Sequence, residues 1–381
     1  MDVMKKFLNM SYDTKINLLN FDLKKMRNFF SSIGEKEFCA VQVMQWIYKY
    51  YCDDFEKMSN IGRNLKKKLS QLCYIAPPLF LNQITSLDGT IKWNVSIDNS
   101  FVETVYIPSN KRITLCISSQ SGCPLSCKFC STGKQEFNRN LTTSEIIGQV
   151  WYVGKLIYNK KLMNIRKITN IVLMGMGEPL LNLKNVVNSL NIMIDSSGFS
   201  LSKNRVTLST SGVVPALKKL TNMIDVSLAI SLHASNDIVR NQLMPINKKY
   251  NIQMVLDAVK LYLQRSHANR GKVTIEYVML HNVNDHLYYA KELSSLLKYI
   301  PSKINLIPWN IFPKSDYIPS SNINIKNFAN ILIKRGYSTT IRKTRGADIN
   351  AACGQLTGKV LNLSNIIASK NIEKLCNKIS L

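Results

Sequence analysis

The segment GCPLSCKFCS, residues 122–131, places Cys123, Cys127 and Cys130 in the spacing Cys-x3-Cys-x2-Cys. A structural zinc site takes four ligands, commonly from two CxxC pairs, and this segment supplies three thiols. Neither Cys116 nor a histidine offers an obvious fourth ligand at ordinary spacing. A cubane iron–sulfur cluster held by three thiolates keeps one iron open for another molecule. The spacing therefore favours such a cluster over a zinc site and over three unrelated core cysteines.

Strand-like and helical patterns alternate around this segment. The strand-like stretch RITLCISS precedes it, and the helical pattern TTSEIIGQVWYVGKLIY follows it. Further strand-like stretches, each followed by a more helical segment, are NIVLMGMG, RVTLSTSG, VSLAISLHAS, KVTIEYVML and KINLIPWN, and STTIRKTRG comes last. This alternation predicts an α/β fold with a parallel sheet, closed or partly closed as a barrel. Polar and glycine residues follow the strands, at the edge where such folds build their sites.

The N-terminal quarter of the chain has a different pattern. Residues 1–90 are predicted to be mostly helical, with a basic helix around RNLKKKL that ends at the APP of residues 76–78. The Asp-Gly pair in SLDGTIKWNVSI then predicts a hairpin between two short strands. We therefore divide the chain into a helical accessory domain, 1–90, and a barrel domain, 91–381. The accessory domain is either an RNA-binding module or a packing appendage.

The charge of the chain points to a polyanionic partner. Lysine and arginine number 50 against 24 for aspartate and glutamate, which gives a net charge of +26. Nucleic acid is the favoured partner, over an anionic membrane surface and over a codon bias toward lysine. No apolar run approaches the ~20 residues that span a bilayer, and no signal-peptide pattern is present. The nine cysteines then indicate thiols or metal ligands in a reducing cytoplasm.

The cysteine spacing, with Phe129 before the last thiol, resembles the radical S-adenosylmethionine (SAM) superfamily. MGMGEP at 174–179 resembles that superfamily's GGEP motif, which implies that Gly177 and Glu178 contact SAM. Residues that end other strands are further candidate contacts, although each could be an ordinary polar strand cap: Ser209, Ser231, Leu232, His233 and Asn310. A superfamily member would carry one 4Fe-4S cluster on the three cysteines and bind SAM at its open iron.

Nearly the whole chain resembles the bacterial RlmN family of radical SAM enzymes. The resemblance rests on ordered stretches that include DGTIKW, VETVYIP, CKFCSTG, MGMGEPLLN, RVTLSTSGVVPAL, MPINKKYN and KTRGADINAACGQL. It implies a partial (β/α)6 barrel with a small N-terminal helical accessory domain, and methylation of adenosine carbon 2 in 23S rRNA and tRNA. Glu136 departs from the family, which usually has glycine there, so the loop after the cluster is in question.

The resemblance also implies an unusual methylation. SAM methylates Cys353, and a radical from a second SAM takes a hydrogen from the S-methyl group. The methylene adds to carbon 2 of adenine, Glu103 accepts the proton of that carbon, and Cys116 attacks the Cys353 sulfur to leave a disulfide. From the residues alone, Glu103 could be an ordinary strand carboxylate and either cysteine a buried free thiol.

The implied partners are 23S rRNA at the peptidyl-transferase centre, tRNA at the nucleotide 3′ of the anticodon, and a flavodoxin- or ferredoxin-type reductase. We expect a monomer, since one chain supplies the whole site. Candidate RNA contacts are the basic residues Arg63, Lys66, Lys67, Lys68, Arg342, Lys343 and Arg345. Two alternatives stay open: a Cfr-type enzyme that methylates carbon 8, and a non-catalytic RNA-binding protein stabilised by zinc.

Overall fold

A computed structural model describes residues 15–109, 112–159, 167–312 and 315–357. The N-terminal part contains the helices α1 (Leu23–Ser32), α2 (Glu37–Lys49) and α3 (Arg63–Leu72). The short strands β1 (Ile16–Asn17) and β2 (Cys73–Tyr74) pair in parallel beside them. Helix α3 thus ends before the predicted stop at residues 76–78, because the chain turns into β2 directly after Leu72.

The barrel domain is built on one ten-stranded sheet in the order β14-β13-β12-β11-β10-β9-β6-β5-β4-β3. Seven neighbouring strands run parallel, and β5, β4 and β3 continue the sheet antiparallel. Their bounds are β3 (Phe80–Thr85), β4 (Ile91–Ile97), β5 (Ser100–Ser109), β6 (Arg112–Cys116), β9 (Asn170–Leu173), β10 (Val206–Thr210), β11 (Ser227–Ser231), β12 (Val273–Met279), β13 (Ser302–Pro308) and β14 (Ser338–Ile341). A separate two-stranded ribbon joins β7 (Gln120–Ser121) to β8 (Arg139–Asn140) around the cysteine segment.

Helices connect the parallel strands. They are α4 (Thr143–Tyr158), α5 (Leu183–Ile194), α6 (Val214–Leu220), α7 (Asp237–Leu243), α8 (Ile252–Arg265), α9 (Leu287–Leu296) and α10 (Asn322–Lys334). Within the described residues, six strand–helix units precede β14, which confirms the predicted partial (β/α)6 barrel. None of the helices described is both long and apolar enough to cross a bilayer.

The predicted hairpin at Asp88 and Gly89 is confirmed, since β3 and β4 pair antiparallel on either side of it. Strand β3 belongs to the large sheet although it lies inside the region 1–90. The division at residue 90 stays a prediction, and the sheet itself begins at Phe80.

The core is continuous between the N-terminal helices and the barrel. Helix α4 begins with a capping box in which Thr142 and Glu145 exchange side-chain and backbone hydrogen bonds. Farther along α4, the buried Trp151 donates its indole N–H to the Ile47 carbonyl oxygen of α2 at 2.7 Å. This bond and the surrounding apolar contacts hold the accessory helices against the barrel.

The two edges of the open sheet are bridged by residues 346–357, which we call the closing segment. It follows β14 at one edge and contacts the β3–β4 turn at the other. Asp88 accepts a hydrogen bond from the Gly346 N–H at 3.2 Å, and Asp348 accepts one from the Ser86 hydroxyl at 2.6 Å. Farther along the segment, Lys92 donates to the Asn350 carbonyl oxygen at 3.1 Å. The sheet is therefore closed by side-chain and backbone bonds instead of a strand pairing.

Replacement of Trp151 tests the packing of the N-terminal helices. Trp151→Ala should lower the free energy of unfolding by about 4 kcal/mol through the cavity it leaves. Trp151→Phe should cost about 1.5 kcal/mol, because the Ile47 carbonyl loses its donor. Urea denaturation followed by circular dichroism measures both. Leu87→Ala, at a side chain that is 99% exposed, is the control and should hardly change the free energy of unfolding. Equal effects of all three substitutions would contradict this packing.

Candidate functional site

The cluster cavity, as we name it, opens where the parallel strands end. The structure brings eight of the predicted site residues together in its wall: Cys123, Cys127, Cys130, Gly177, Glu178, Ser209, Ser231 and His233. They come from the cysteine loop and from the ends of three separate strands. Cys353, a ninth predicted site residue, lines the same wall with Gly354 of the closing segment.

The cysteine loop is fixed from behind by neighbouring elements. Trp309 donates its indole N–H to the Phe129 carbonyl oxygen at 2.9 Å, and the Lys128 N–H bonds the Leu243 carbonyl at the end of α7. Burial raises the pKa of Cys123 to about 12. Burial likewise raises the pKa values of Cys127 and Cys130. Free thiols here hold their protons, so a metal that takes the proton's place is what makes them thiolates.

The loop chemistry fits an iron–sulfur cluster. Within the described ranges, no three histidine, cysteine, aspartate or glutamate side chains are placed to hold a single metal ion. A zinc ion needs its ligands at one point, whereas a cubane takes each thiolate on a different iron. The three thiols line one cavity that also holds the glycine-lined strand end. The donor set therefore suits a cluster in which three irons would be held by these thiolates and the fourth would have no protein ligand.

Gly177 lines the cavity in a conformation that requires glycine. Its φ is +96°, and a Cβ there would lie 2.4 Å from the Gln120 Cβ. The Gln120 Oε1 accepts the Glu178 N–H at 2.7 Å. The Glu178 carboxylate in turn accepts the Leu180 N–H at 3.0 Å and the Ser211 N–H at 2.8 Å. Glu178 thus braces two strand ends, and its contact with SAM stays a prediction.

His233 closes the inner wall of the cavity. Its Nδ1 accepts the Val278 N–H at 3.1 Å, and its ring meets Phe129 edge to face at a centroid distance of 4.6 Å. Burial, with the charge of Arg240, lowers the pKa of His233 to about 3, so the imidazole is neutral. Leu232 is buried with its backbone N–H on the Glu276 carbonyl, and it does not line the cluster cavity.

A second cavity, the thiol cavity, adjoins the first. Its lining includes Cys116, Met174, Asn310, Arg342 and Cys353. Cys353 lines both cavities, although 237 positions separate it from Cys116. The structure places Asn310 here instead of in the cluster cavity, and its Nδ2 donates to the Cys353 carbonyl oxygen at 3.3 Å.

Glu103 is buried, so it is not an ordinary strand-surface carboxylate. Its Oε1 lies 3.0 Å from the Lys92 Nζ, and its Oε2 accepts the Thr357 N–H of the closing segment at 2.6 Å. Burial raises the pKa of Glu103 against the opposing charge of Lys92. Glu103 lines neither cavity, and its role as proton acceptor stays a prediction.

The predicted RNA contacts fall into two groups. Arg63 and Lys67 of α3 are exposed, whereas Lys66 bonds the Glu56 carbonyl and Lys68 bonds Glu35. Arg342, Lys343 and Arg345 line the thiol cavity, and Arg345 lies 3.6 Å from Asp88.

The loop after the cysteines tolerates its unusual residue. Glu136 is absent from the residues with positive φ, so its backbone does not need glycine. Its carbonyl oxygen instead packs on Gly122, whose φ is +74° and where a Cβ would lie 2.1 Å away. The glycine requirement thus falls on Gly122, and the loop is accommodated.

Sequence reasoning missed two residues that shape the site. Arg240 is fully buried and donates to the Leu232, Ser231 and Ser211 carbonyls, which fixes two strand ends. Trp309 holds the cysteine loop. The sequence gives no signal for Arg240, because a lone arginine in a short helical pattern is typical of an exposed face.

Comparisons with known proteins agree with this geometry. Residues 16–75 match the family model of the ribosomal RNA large subunit methyltransferase N-terminal domain, and residues 117–289 match the radical SAM superfamily. The chain is 66% identical over 348 residues to the dual-specificity RNA methyltransferase RlmN of Buchnera aphidicola subsp. Baizongia pistaciae (strain Bp), which covers 91% of this chain and 93% of that protein.

Two further relatives cover the chain to a similar extent. The RlmN of Buchnera aphidicola subsp. Schizaphis graminum (strain Sg) is 57% identical over 350 residues, or 92% of this chain and 96% of that protein. The crystal structure of a radical SAM methyltransferase from Sphaerobacter thermophilus superposes with a TM-score of 0.81 at 34% identity. It covers 90% of this chain and 99% of its own.

The neutral His233 predicts a pH dependence of stability. A histidine whose pKa is lowered in the folded state stabilises the protein above pH 6.5, and that stability is lost as the pH falls toward 3. The loss is about 1.4 kcal/mol per pH unit in this range. His233→Asn, which tolerates the φ of 60°, should remove that slope.

Urea titrations at pH 7 and pH 4.5 measure the effect. From pH 7 to pH 4.5, the free energy of unfolding of the parent chain should fall by about 3 kcal/mol more than that of His233→Asn. His267→Asn, at an exposed histidine, is the control and should keep the parent slope. A parent slope in His233→Asn would show that the imidazole is free to take a proton in the folded state.

Proposed function

We propose, on the premise that the chain belongs to the RlmN family of dual-specificity RNA methyltransferases, that it methylates carbon 2 of adenosine through Cys353. The chain is a radical SAM RNA methyltransferase. The observation that carries the choice of residues is the position of Cys353, which lines both the cluster cavity and the thiol cavity. A group carried on its sulfur can meet one partner on each side.

Three residues would hold the 4Fe-4S cluster: Cys123, Cys127 and Cys130. Gly177 and Glu178 at one strand end, with Ser209, Ser231 and His233 at the next two, would bind SAM. When bound, the cluster and SAM supply a reducing electron and a hydrogen-abstracting radical. The chain's own part is to exclude water from the cavity and to keep the imidazole of His233 neutral.

Cys353 is the methyl acceptor and Cys116 is the resolving thiol. Cys353 sits in a turn held by the Asn310 amide, and its neighbour Gly354 accepts the Ser131 N–H at 2.7 Å. This second bond ties the turn directly to the cysteine loop. Cys116 ends strand β6 in the wall of the thiol cavity. The carbon joined to Cys353 therefore faces the RNA base with a second thiol within the same cavity.

Glu103 is the proposed proton acceptor for carbon 2. In the β5–β6 register Val105 pairs with Cys116, so Glu103, two residues away, shares the inner face of the sheet with Cys116. Burial raises the pKa of Glu103, which suits a carboxylate that must take up a proton. The charge of Lys92, 3.0 Å away, acts in the opposite direction and favours the ionised carboxylate.

The RNA partners are 23S rRNA and tRNA, and the target base must leave its stack to enter the cavity. The net charge of +26 favours the RNA backbone, and the exposed Arg63 and Lys67 of α3 place part of that charge on the accessory helices. We propose a cytoplasmic monomer, because one chain carries the complete site. A flavodoxin- or ferredoxin-type reductase supplies the electrons.

Mass spectrometry of RNA identifies the product. After anaerobic reconstitution, the protein with SAM and a reductant should place one methyl group on carbon 2 of adenosine in 23S rRNA and in tRNA. Cys353→Ala should abolish the product while iron and sulfide content stay at the parent level. Methylation at carbon 8 would replace this proposal with the Cfr-type activity. Stoichiometric zinc without iron would contradict the proposed enzyme activity.

Loss of the resolving thiol should trap the intermediate. Cys116→Ala should accumulate a covalent RNA adduct at Cys353, because nothing attacks the Cys353 sulfur to release the product. A band of slower mobility on a denaturing gel and peptide mass spectrometry detect the adduct. Cys73→Ala, which removes a buried cysteine outside both cavities, is the control and should give free methylated RNA. Normal release by Cys116→Ala would contradict the role of Cys116.

A further inference from the structure

Arg342 is a cation inside the barrel whose charge the proposed mechanism leaves unused. It follows β14, and its N–H donates to the Leu306 carbonyl oxygen at 2.8 Å. Its side chain lines the cluster cavity and the thiol cavity together with Cys353. Its Nη1 lies 3.6 Å from the Met174 sulfur, and among the residues described it forms no ion pair with a carboxylate.

A guanidinium in this position needs an anion. It carries five N–H donors, and a thioether sulfur is a weak acceptor for them. Arg342 is half-buried, and a charge that is partly removed from water is costly unless it is paired. The charge of Cys353, followed by those of Glu276 and Cys116, raises the pKa of Arg342 against the effect of burial. When ionised, Cys353 and Cys116 are therefore among the anions that can stabilise this guanidinium.

The proposed resolving thiol, Cys116, requires a nearby cation, because it must lose its proton to react. Burial and the charge of Cys353 raise the pKa of Cys116 to about 12, while Arg342 acts in the lowering direction. Attack on sulfur requires a thiolate. A cation beside Cys116 therefore lowers the free-energy cost of removing its proton at the release step.

Other charged groups around the cavity do not replace Arg342. Glu276 on β12 faces the cluster cavity, and its Oε2 has no hydrogen-bond partner among the described residues. Burial raises the pKa of Glu276, while the charges of Arg342 and Lys303 act in the lowering direction. Glu276 does not line the thiol cavity, where Cys116 lies. Lys343 and Arg345 also line the thiol cavity, but Lys343 is exposed and Arg345 is paired with Asp88.

We propose that Arg342 is a positioning residue for product release, in which its guanidinium stabilises the Cys116 thiolate as that thiolate attacks the Cys353 sulfur. This inference rests on the proposed function. The Cys116 thiol first loses its proton. The sulfur–sulfur bond then forms, the bond from the Cys353 sulfur to the methylene carbon breaks, and its electron pair remains on that carbon. The carbon takes up a proton to become the methyl group, so carbon is reduced as the two sulfurs are oxidised to the disulfide.

Arg342→Met and Arg342→Lys form the matched pair that tests it, since they are similar in length and differ in charge. At pH 7.5, Arg342→Met should accumulate the RNA adduct at Cys353 and release product about tenfold more slowly than the parent chain, which corresponds to the loss of one opposite charge. Release should speed up as the pH is raised to 9.5. Arg342→Lys should stay within about threefold of the parent. The adduct of Cys116→Ala should not respond to pH.

A second measurement needs neither cluster nor RNA. In a Cys353→Ser background, alkylation of Cys116 by iodoacetamide at pH 8.5 is followed by peptide mass spectrometry. Arg342→Met should slow the alkylation of Cys116 about tenfold, whereas Arg342→Lys should keep it near the parent rate. Arg112→Gln is the control for general charge. Arg112 lies on β6, four residues before Cys116 and about 13 Å from it along the strand. Its replacement should change the alkylation rate of Cys116 less than twofold.

The outcomes separate this inference from the proposed function. If the parent chain methylates RNA and Cys116→Ala traps the adduct, but Arg342→Met releases product and alkylates at parent rates, the role of Arg342 is wrong. An equal loss in Arg342→Lys, or in Arg112→Gln, also overturns it. If no variant forms methylated RNA or adduct, the proposed function fails, and the alkylation rates still decide whether Arg342 acts on Cys116.

Discussion

The buried ion pair between Lys92 and Glu103, 3.0 Å apart, holds the closing segment against the first strands of the sheet. Lys92 donates a hydrogen bond to the Asn350 carbonyl oxygen, and Glu103 accepts one from the Thr357 N–H. The two side chains therefore bind the closing segment on both sides of the turn that carries Cys353. Removal of one partner would leave a buried charge unpaired, which typically costs about 3–5 kcal/mol. The position of Cys353 relative to Cys116 depends on this closure.

The closure explains how one chain separates two kinds of chemistry. The cysteine loop lies beside the ends of the first parallel strands, and its three thiols come from eight consecutive residues. The two other thiols of the site are Cys116, at the end of β6, and Cys353, which follows β14, so they lie near opposite ends of the barrel domain in sequence. Because the closing segment crosses the open side of the sheet, Cys353 lines the cluster cavity together with the cysteine loop and the thiol cavity together with Cys116.

Much of the fold was predictable from local pattern. The strand–helix alternation predicts the parallel sheet, and Thr142 with Glu145 predicts the start of α4. The cysteine spacing predicts the cluster loop for the same reason, since its chemistry is contained in one segment. The partnership of Glu103 with Lys92, the inward position of Arg342 and the brace formed by Arg240 could not be predicted, because each depends on which side chains the packed elements turn inward. A buried arginine and a surface arginine look alike until the fold is known.

The pairing of Cys116 with Cys353 is the central claim, and disulfide mapping tests it most directly. The cluster-loaded protein is oxidised mildly, its remaining free thiols are alkylated, and it is digested without reduction for peptide mass spectrometry. A dominant cross-linked peptide that joins Cys116 to Cys353 is the predicted result. Alkylation of both thiols with no such peptide, or a dominant disulfide from either of them to another cysteine, would contradict the account.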